Sequence, residues 1–261
     1  MANKVLFKGI DVSRHQGTID WAKVKDQVDF AIIRCGYGGN YVGQDDSQWK
    51  RNVSECEKYG IPYGVYLYSY ATTITKVKSE AAHVIRLLKG HKPDMPVFFD
   101  LEETRIANLG KTIILELAKV FCEEITKAGY LYGTYANKNW FSNYLTDKWY
   151  DKHPKWLAQY SSKVTYKGTY DIWQYTDKGS VSGIKGGVDM NYCYTSFVNC
   201  DVNNDGKVTA EDARKILRTS AKLETLAGQA LKNADVDGDK KVTAADGRYA
   251  LQIAAGLKRK E

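Results

Sequence analysis

Short apolar runs recur along the first two-thirds of the chain, separated by polar stretches of a different period. Strands are predicted at Val5–Val12, Phe30–Cys35, Tyr63–Tyr70, Val97–Leu101, Tyr130–Tyr135, Trp156–Tyr160, Ile172–Tyr175 and Val188–Tyr192. Many of these runs are almost continuously apolar, the signature of strands covered on both faces. Between the first five lie segments with apolar positions three and four apart, predicting helices over Asp20–Gln27, Ser47–Tyr59, Val77–Leu88 and Thr112–Ala128. Past about residue 145 the helical period fades and short strands dominate. Eight strands in β/α alternation predict an α/β fold of the β/α-barrel type with an irregular last third.

Barrels of this kind carry their chemistry at the C-terminal ends of the strands. Four acids fall there: Asp11 at the end of the first strand, Asp100 and Glu102 at the end of the fourth, and Asp189 on or beside the eighth. The fourth strand reads "PVFFDLEE", a buried run that passes directly into three carboxylates. Residues two apart on a strand share a face, so Asp100 and Glu102 are expected in the barrel mouth, with Leu101 packed away. Strand parity sends Glu103 to the other side. Two neighbouring carboxylates cannot both ionise freely, so one keeps its proton towards neutrality. An acid and a carboxylate in an aromatic-lined groove suit cleavage of a glycosidic bond.

Composition adds to this picture. Nineteen Tyr and six Trp are many for 261 residues, and rings pack cores as readily as they stack on sugars. Tyr66, Tyr37, Trp156 and Gln174 fall near strand ends and are candidates for substrate contact. The net charge of +7 is interspersed, with no basic stripe of the kind that grips nucleic acid, and it suits an anionic polymer. No stretch of 18 apolar residues could span a membrane. The opening "MANKVLFKGIDVS" enters a strand too early for a secretory leader. The five cysteines match no zinc spacing; Cys35 with Cys56, or Cys193 with Cys200, are candidate pairs.

The tail has a different organisation. Residues 201–212, "DVNNDGKVTAED", and residues 235–246, "DVDGDKKVTAAD", match at eight of twelve positions at an offset of 34. Arg214, Leu217, Ala221 and Leu223 recur as Arg248, Leu251, Ala255 and Leu257. Each copy reads as a loop followed by a helix. Oxygen donors at positions 1, 3, 5, 9 and 12, with the carbonyl of position 7, can wrap one Ca²⁺. They are Asp201, Asn203, Asp205, Thr209 and Asp212 with the Lys207 carbonyl, then Asp235, Asp237, Asp239, Thr243 and Asp246 with the Lys241 carbonyl. Gly206 occupies position 6 of the first loop, but Lys240 occupies it in the second, so the second site is expected to bind more weakly.

Two resemblances follow from these motifs. "GIDVSRHQG", "DLE", "WQYT" and "VDMNY", in that order, resemble glycoside hydrolase family 25, the lysozyme-type N-acetylmuramidases. The likeness implies a flattened, incomplete TIM-like β/α barrel over residues 1–197 and hydrolysis of the β-1,4 bond between N-acetylmuramic acid and N-acetylglucosamine in peptidoglycan. It also implies that Glu102 is the proton donor, that Asp100 assists the substrate's N-acetyl group or positions water, and that Asp11 and Asp189 complete the acidic floor, with no catalytic cofactor. A glycosidase acting on chitin or another amino sugar, or a catalytically inactive wall-binding module, are the alternative readings. The paired loops resemble a type I dockerin over residues 198–261: a small all-α domain with two EF-hand-like loops, two structural Ca²⁺ ions and a cohesin partner on a scaffolding protein. Together these imply a secreted, monomeric enzyme.

Overall fold

The structure, a computed structural model, describes residues 5–195, 197, 200–203, 208–236 and 241–255. It divides into two compact units, Met1–Tyr194 and Thr195–Glu261.

The first unit is a closed barrel of eight strands: β1 Phe7–Val12, β2 Phe30–Tyr37, β3 Tyr63–Tyr68, β4 Val97–Asp100, β5 Tyr132–Asn137, β6 Lys155–Ala158, β7 Ile172–Gly179 and β8 Val188–Cys193. Strands β1 to β7 run parallel to their sequence neighbours, and β8 runs antiparallel to both β7 and β1. The expected incompleteness therefore does not extend to the strand ring, which closes. It lies in the helical layer. Helices α1 Trp21–Val24, α2 Trp49–Tyr59, α3 Ile74–Leu87, α4 Thr104–Ala107, α5 Lys111–Lys127 and α6 Lys138–Asn143 follow the first five strands, while residues 159–171 and 180–187 link the last three without one. A hairpin-like return into β8 needs no crossover helix, which is why β8 can run antiparallel.

Alternation along the strands sorts side chains into two layers. Val65, Leu67, Val97, Phe99, Leu101 and Leu157 face outward into the apolar layer beneath the helices. Phe99 stacks on Phe121 of α5 with centroids 4.2 Å apart and planes 12° from parallel. The intervening residues face the lumen, where Phe98 meets Trp156 edge-on at 5.2 Å. A side chain at Gly133, beside Phe98 in register, would place its Cβ 2.5 Å from that ring, so the close approach requires glycine there. Cys35 and Cys56 are free thiols buried in the outer layer and form no disulfide, contrary to the candidate pairing. Burial pushes both thiol pKa values up, which makes them small apolar core residues rather than nucleophiles.

The second unit holds α7 Ala210–Ser220, α8 Gly228–Ala234 and α9 Ala244–Ala254. Its core reflects the duplication: Cys200 and Ala234, Val202 and Val236, and Ile216 and Ala250 are buried at the same offset of 34. Gly247 of α9 lies so close to Leu217 of α7 that a Cβ there would fall 2.5 Å from its side chain.

Candidate active site

Asp100 is the last residue of β4 and faces the lumen between Tyr68 and Tyr135, its register partners on β3 and β5. It is buried, and its Oδ1 meets no hydrogen-bond partner among the described residues. A carboxylate in that setting is poorly solvated, so its pKa is held well above the usual range, first by burial and then by the nearby charges of Glu102 and Asp11.

Asp11, on β1, lies opposite Asp189 in the antiparallel pairing with β8. Its Oδ2 accepts from Gln174 Nε2 at 2.9 Å and from Asn191 Nδ2 at 2.8 Å. Burial and then Asp189 push its pKa up to about 8, although the two amide donors work in the opposite direction. Asp189 is raised to about 6 by burial and then by Asp177. Glu102, half-buried just past β4, is raised by burial and then by Glu103 and Asp189. Four carboxyls thus converge in one mouth, and each has its proton affinity increased. The mouth can hold protons at a pH where an exposed acid would have lost them.

The two amides that hold Asp11 are themselves fixed. Asn191 Oδ1 accepts from Trp156 Nε1 at 2.7 Å. Gln174 Oε1 accepts from the hydroxyls of Tyr135 at 3.0 Å and Tyr160 at 3.2 Å. Trp156 is only 1% exposed, so it forms part of the floor and offers no open ring face. Tyr66 points inward beside it, half-buried, with ring centroids 5.7 Å apart. Tyr37, half-buried, closes β2 at the rim and meets Tyr70 edge-on at 6.2 Å.

Asn191, Tyr135 and Tyr160 were not singled out from the sequence. Asn191 could have been found by parity, since it sits two residues after Asp189 in "VDMNY" and shares its face. Glu103 corrects an expectation. Strand parity placed it away from the mouth, but β4 ends at Asp100 and the chain turns. Glu103 Oε1 accepts the Tyr68 hydroxyl at 2.9 Å and Oε2 accepts from Arg105 Nε at 3.0 Å. Its charge is the first electrostatic neighbour raising Glu102. Arg34 on β2 pairs with Asp46 at 2.8 Å.

In the second unit, the acid at position 12 of each loop occupies the same arrangement. Asp212 Oδ1 accepts the Val202 and Asn203 amides at 3.0 and 3.3 Å, and its Oδ2 accepts the Thr209 amide at 2.9 Å. Asp246 Oδ1 accepts the Val236 amide and its Oδ2 the Thr243 amide, both at 2.7 Å. Thr209 and Thr243 cap α7 and α9 in matching capping boxes. Asp201, Asp212 and Asp246 are all buried. A buried, oxygen-only donor set suits a hard cation. Asp205, Lys207, Asp237 and Asp239 lie outside the described residues, and no cluster of three or more His, Cys, Asp or Glu side chains that could hold a metal occurs among the described ones.

Comparisons with known proteins match a family to each unit. The profile of glycosyl hydrolases family 25 matches residues 10–184. The chain belongs to this family. A dockerin type I domain matches residues 199–248. The family 25 chain is 31% identical over 189 residues to the autolytic lysozyme of Clostridium acetobutylicum, covering 71% of this chain and 55% of that one. Among solved structures it resembles the modular autolysin LytC from Streptococcus pneumoniae, in complex with a synthetic peptidoglycan ligand, at TM-score 0.65 and 30% identity, covering 71% of this chain and 46% of that one. It also resembles the catalytic domain of endolysin ply40 from bacteriophage P40 of Listeria monocytogenes, at TM-score 0.62 and 25% identity, covering 74% and 95%. The chain spans about half the length of the autolytic lysozyme and of the autolysin that it matches.

Proposed function

We propose that residues 1–197 form a muramidase that hydrolyses the β-1,4 bond between N-acetylmuramic acid and N-acetylglucosamine in peptidoglycan. We also propose that residues 198–261 form a dockerin that binds two Ca²⁺ ions and a cohesin outside the cell. The observation that carries the first reading is the convergence of four carboxyls with raised pKa values in the mouth of a family 25 barrel.

Glu102 is the proton donor. It is the acid past the strand end that is only half-buried, so an incoming sugar can reach it, and burial with the Glu103 charge keeps it protonated above its ordinary range. Its proton passes to the glycosidic oxygen as the bond to the anomeric carbon breaks; water then gives its hydroxyl to the anomeric carbon and its remaining proton back to the Glu102 carboxylate, which restores the acid. Asp100 lies deeper, and its unpartnered Oδ1 is available to the substrate's acetamido group. Asp189, raised only to about 6, supplies negative potential under the oxocarbenium-like transition state near neutral pH, while Asp11 keeps its proton there and shapes the floor. Gln174, Asn191 and Trp156 hold Asp11 in place, while Tyr66 and Tyr37 provide ring surface for the sugar. In the dockerin, Asp201, Asn203, Asp205, Thr209, Asp212 and the Lys207 carbonyl would hold one ion. Asp235, Asp237, Asp239, Thr243, Asp246 and the Lys241 carbonyl would hold the other. Ca²⁺ would fix the loops that start α7 and α9. The lysozyme and autolysin relatives, together with the dockerin match, support this extracellular, wall-directed reading.

The test of the first reading is Glu102→Gln on purified cell wall. Reducing-sugar release is expected to fall by roughly 10²–10⁴-fold, the usual worth of a positioned general acid, while wall binding is retained. A variant with wild-type turnover removes Glu102 from this role.

A further inference from the structure

The rim between β1 and β2 holds a cationic cluster that the hydrolytic chemistry leaves unused. Arg34 projects into the lumen from β2 beside Tyr66 and is 9% exposed. Its Nε donates to Asp46 Oδ2 at 2.8 Å, but its Nη2 is buried without a hydrogen-bond partner among the described residues. A buried guanidinium N–H without an acceptor is costly, and such groups usually have one in the working molecule. Arg14, which follows β1, is held close by: its backbone amide donates to the same Asp46 oxygen at 2.9 Å. Its exposed guanidinium stands 5.7 Å from the centre of the Tyr37 ring. The other Asp46 oxygen is taken by the Gln48 amide at 2.9 Å.

The cluster therefore sets two guanidinium charges against one carboxylate. His15 lies within reach of both arginines. Burial, then Arg34 and Arg14, lowers its pKa, which keeps it from adding a third charge. Among the described residues, the ion pair that Arg34 forms is with Asp46 and not with any mouth acid. The floor of the mouth is built from carboxyls, which offer an anion no favourable charge, so an anionic substituent on a bound sugar would be drawn to this rim. Guanidinium is also the group best matched to a carboxylate.

We propose that Arg34 Nη2 and the Arg14 guanidinium, with the Tyr37 ring as a wall, form an anion subsite that receives a carboxylate carried on the lactyl arm of the muramic acid unit. This rests on the muramidase reading and deepens it. The carboxylate has two sources: the lactyl group itself where no peptide is attached, or the acids of the attached peptide.

Three substrates separate these sources: peptide-bearing wall, strands stripped of peptide by an amidase, and stripped strands whose lactyl carboxylates have been methylamidated. Wild type is compared with Arg14→Gln, an exposed site, and with Arg34→Lys, which keeps the charge near Asp46 but removes Nη2. A wild-type thermal transition establishes that each variant is folded. On the carboxylate-bearing substrate that wild type prefers, both variants are expected to lose about ten- to hundredfold in kcat/KM, chiefly through KM. On the amidated strands they should match wild type within about twofold, since wild type has lost the same interaction there. Preference for peptide-bearing wall assigns the carboxylate to the peptide, and preference for stripped strands assigns it to the lactyl group. Variants that lose the same factor on amidated and unamidated strands, or lose nothing on any substrate, overturn the subsite. Wild type that turns over none of the three overturns the muramidase reading, and the subsite with it.

Discussion

Asp11→Asn should make the barrel more stable near neutral pH while damaging its chemistry. Unfolded, Asp11 releases its proton near the ordinary 3.8; folded, it holds the proton up to about 8. Between those values the native state binds one more proton than the unfolded chain, so this group's contribution to stability falls as pH rises, by about 1.4 kcal/mol per unit. At pH 7 the loss accumulates over about three units to roughly 4 kcal/mol, and below pH 4 it vanishes. Asparagine keeps an acceptor for the Gln174 and Asn191 amides, carries no charge, and relieves the repulsion from Asp189 and Glu102. Part of the gain is lost because asparagine also brings an NH2 group into a buried site, where an unpaired donor costs about 1–3 kcal/mol, leaving an expected net of roughly 1–3 kcal/mol at pH 7. For a domain of this size that is a rise of roughly 3–10 °C in Tm. Calorimetry of wild type and variant at pH 4 and pH 7, at one fixed calcium concentration, reads the effect on the barrel transition. An equal Tm difference at both pH values, or a variant less stable at pH 7, would refute the linkage and with it the picture of a destabilising acidic floor.

Three further outcomes follow from the same geometry. Glu103 is the largest electrostatic contributor to the raised pKa of Glu102, so Glu103→Gln should lower that pKa and move the alkaline limb of the kcat/KM–pH profile to lower pH; an unmoved limb would separate Glu103 from the acid. Titration calorimetry should resolve two unequal calcium sites, the weaker abolished by Asp246→Ala and the tighter by Asp212→Ala; two equal sites would remove the argument from Lys240 at position 6. Chelation should lower the thermal transition of the dockerin and leave that of the barrel unchanged, because the donor sets lie wholly in the tail.

Much of the barrel was legible because burial on two faces leaves near-continuous apolar runs. Phe30, Tyr63, Val97, Ile172 and Val188 begin both their predicted and their observed strands. The direction of β8 was not legible: hydrophobic period records burial and not strand polarity, and Val188–Cys193 reads the same either way. The acids were found because strand ends are where a barrel exposes its lumen. Glu103 is misplaced by parity because alternation does not hold past the end of β4 at Asp100, where the chain turns. Asn191 carries no charge, so nothing in composition distinguishes it, while Gln174 is legible from its place near a strand end as a candidate for substrate contact; in the structure both aim amide donors at Asp11. The calcium loops stand out in the sequence by repetition and spacing alone, and several of their ligand positions lie outside the described residues.

The most direct test of the central claim is the chemical identity of the new reducing end released from purified peptidoglycan. If Glu102 protonates the oxygen of a β-1,4 muramidic bond, borohydride reduction of the digest should yield muramicitol, with the yield cut by roughly 10²–10⁴-fold in Glu102→Gln. Reducing ends of N-acetylglucosamine, or equal release from chitin oligomers, would contradict a muramidase and place the enzyme among glycosidases of a different bond.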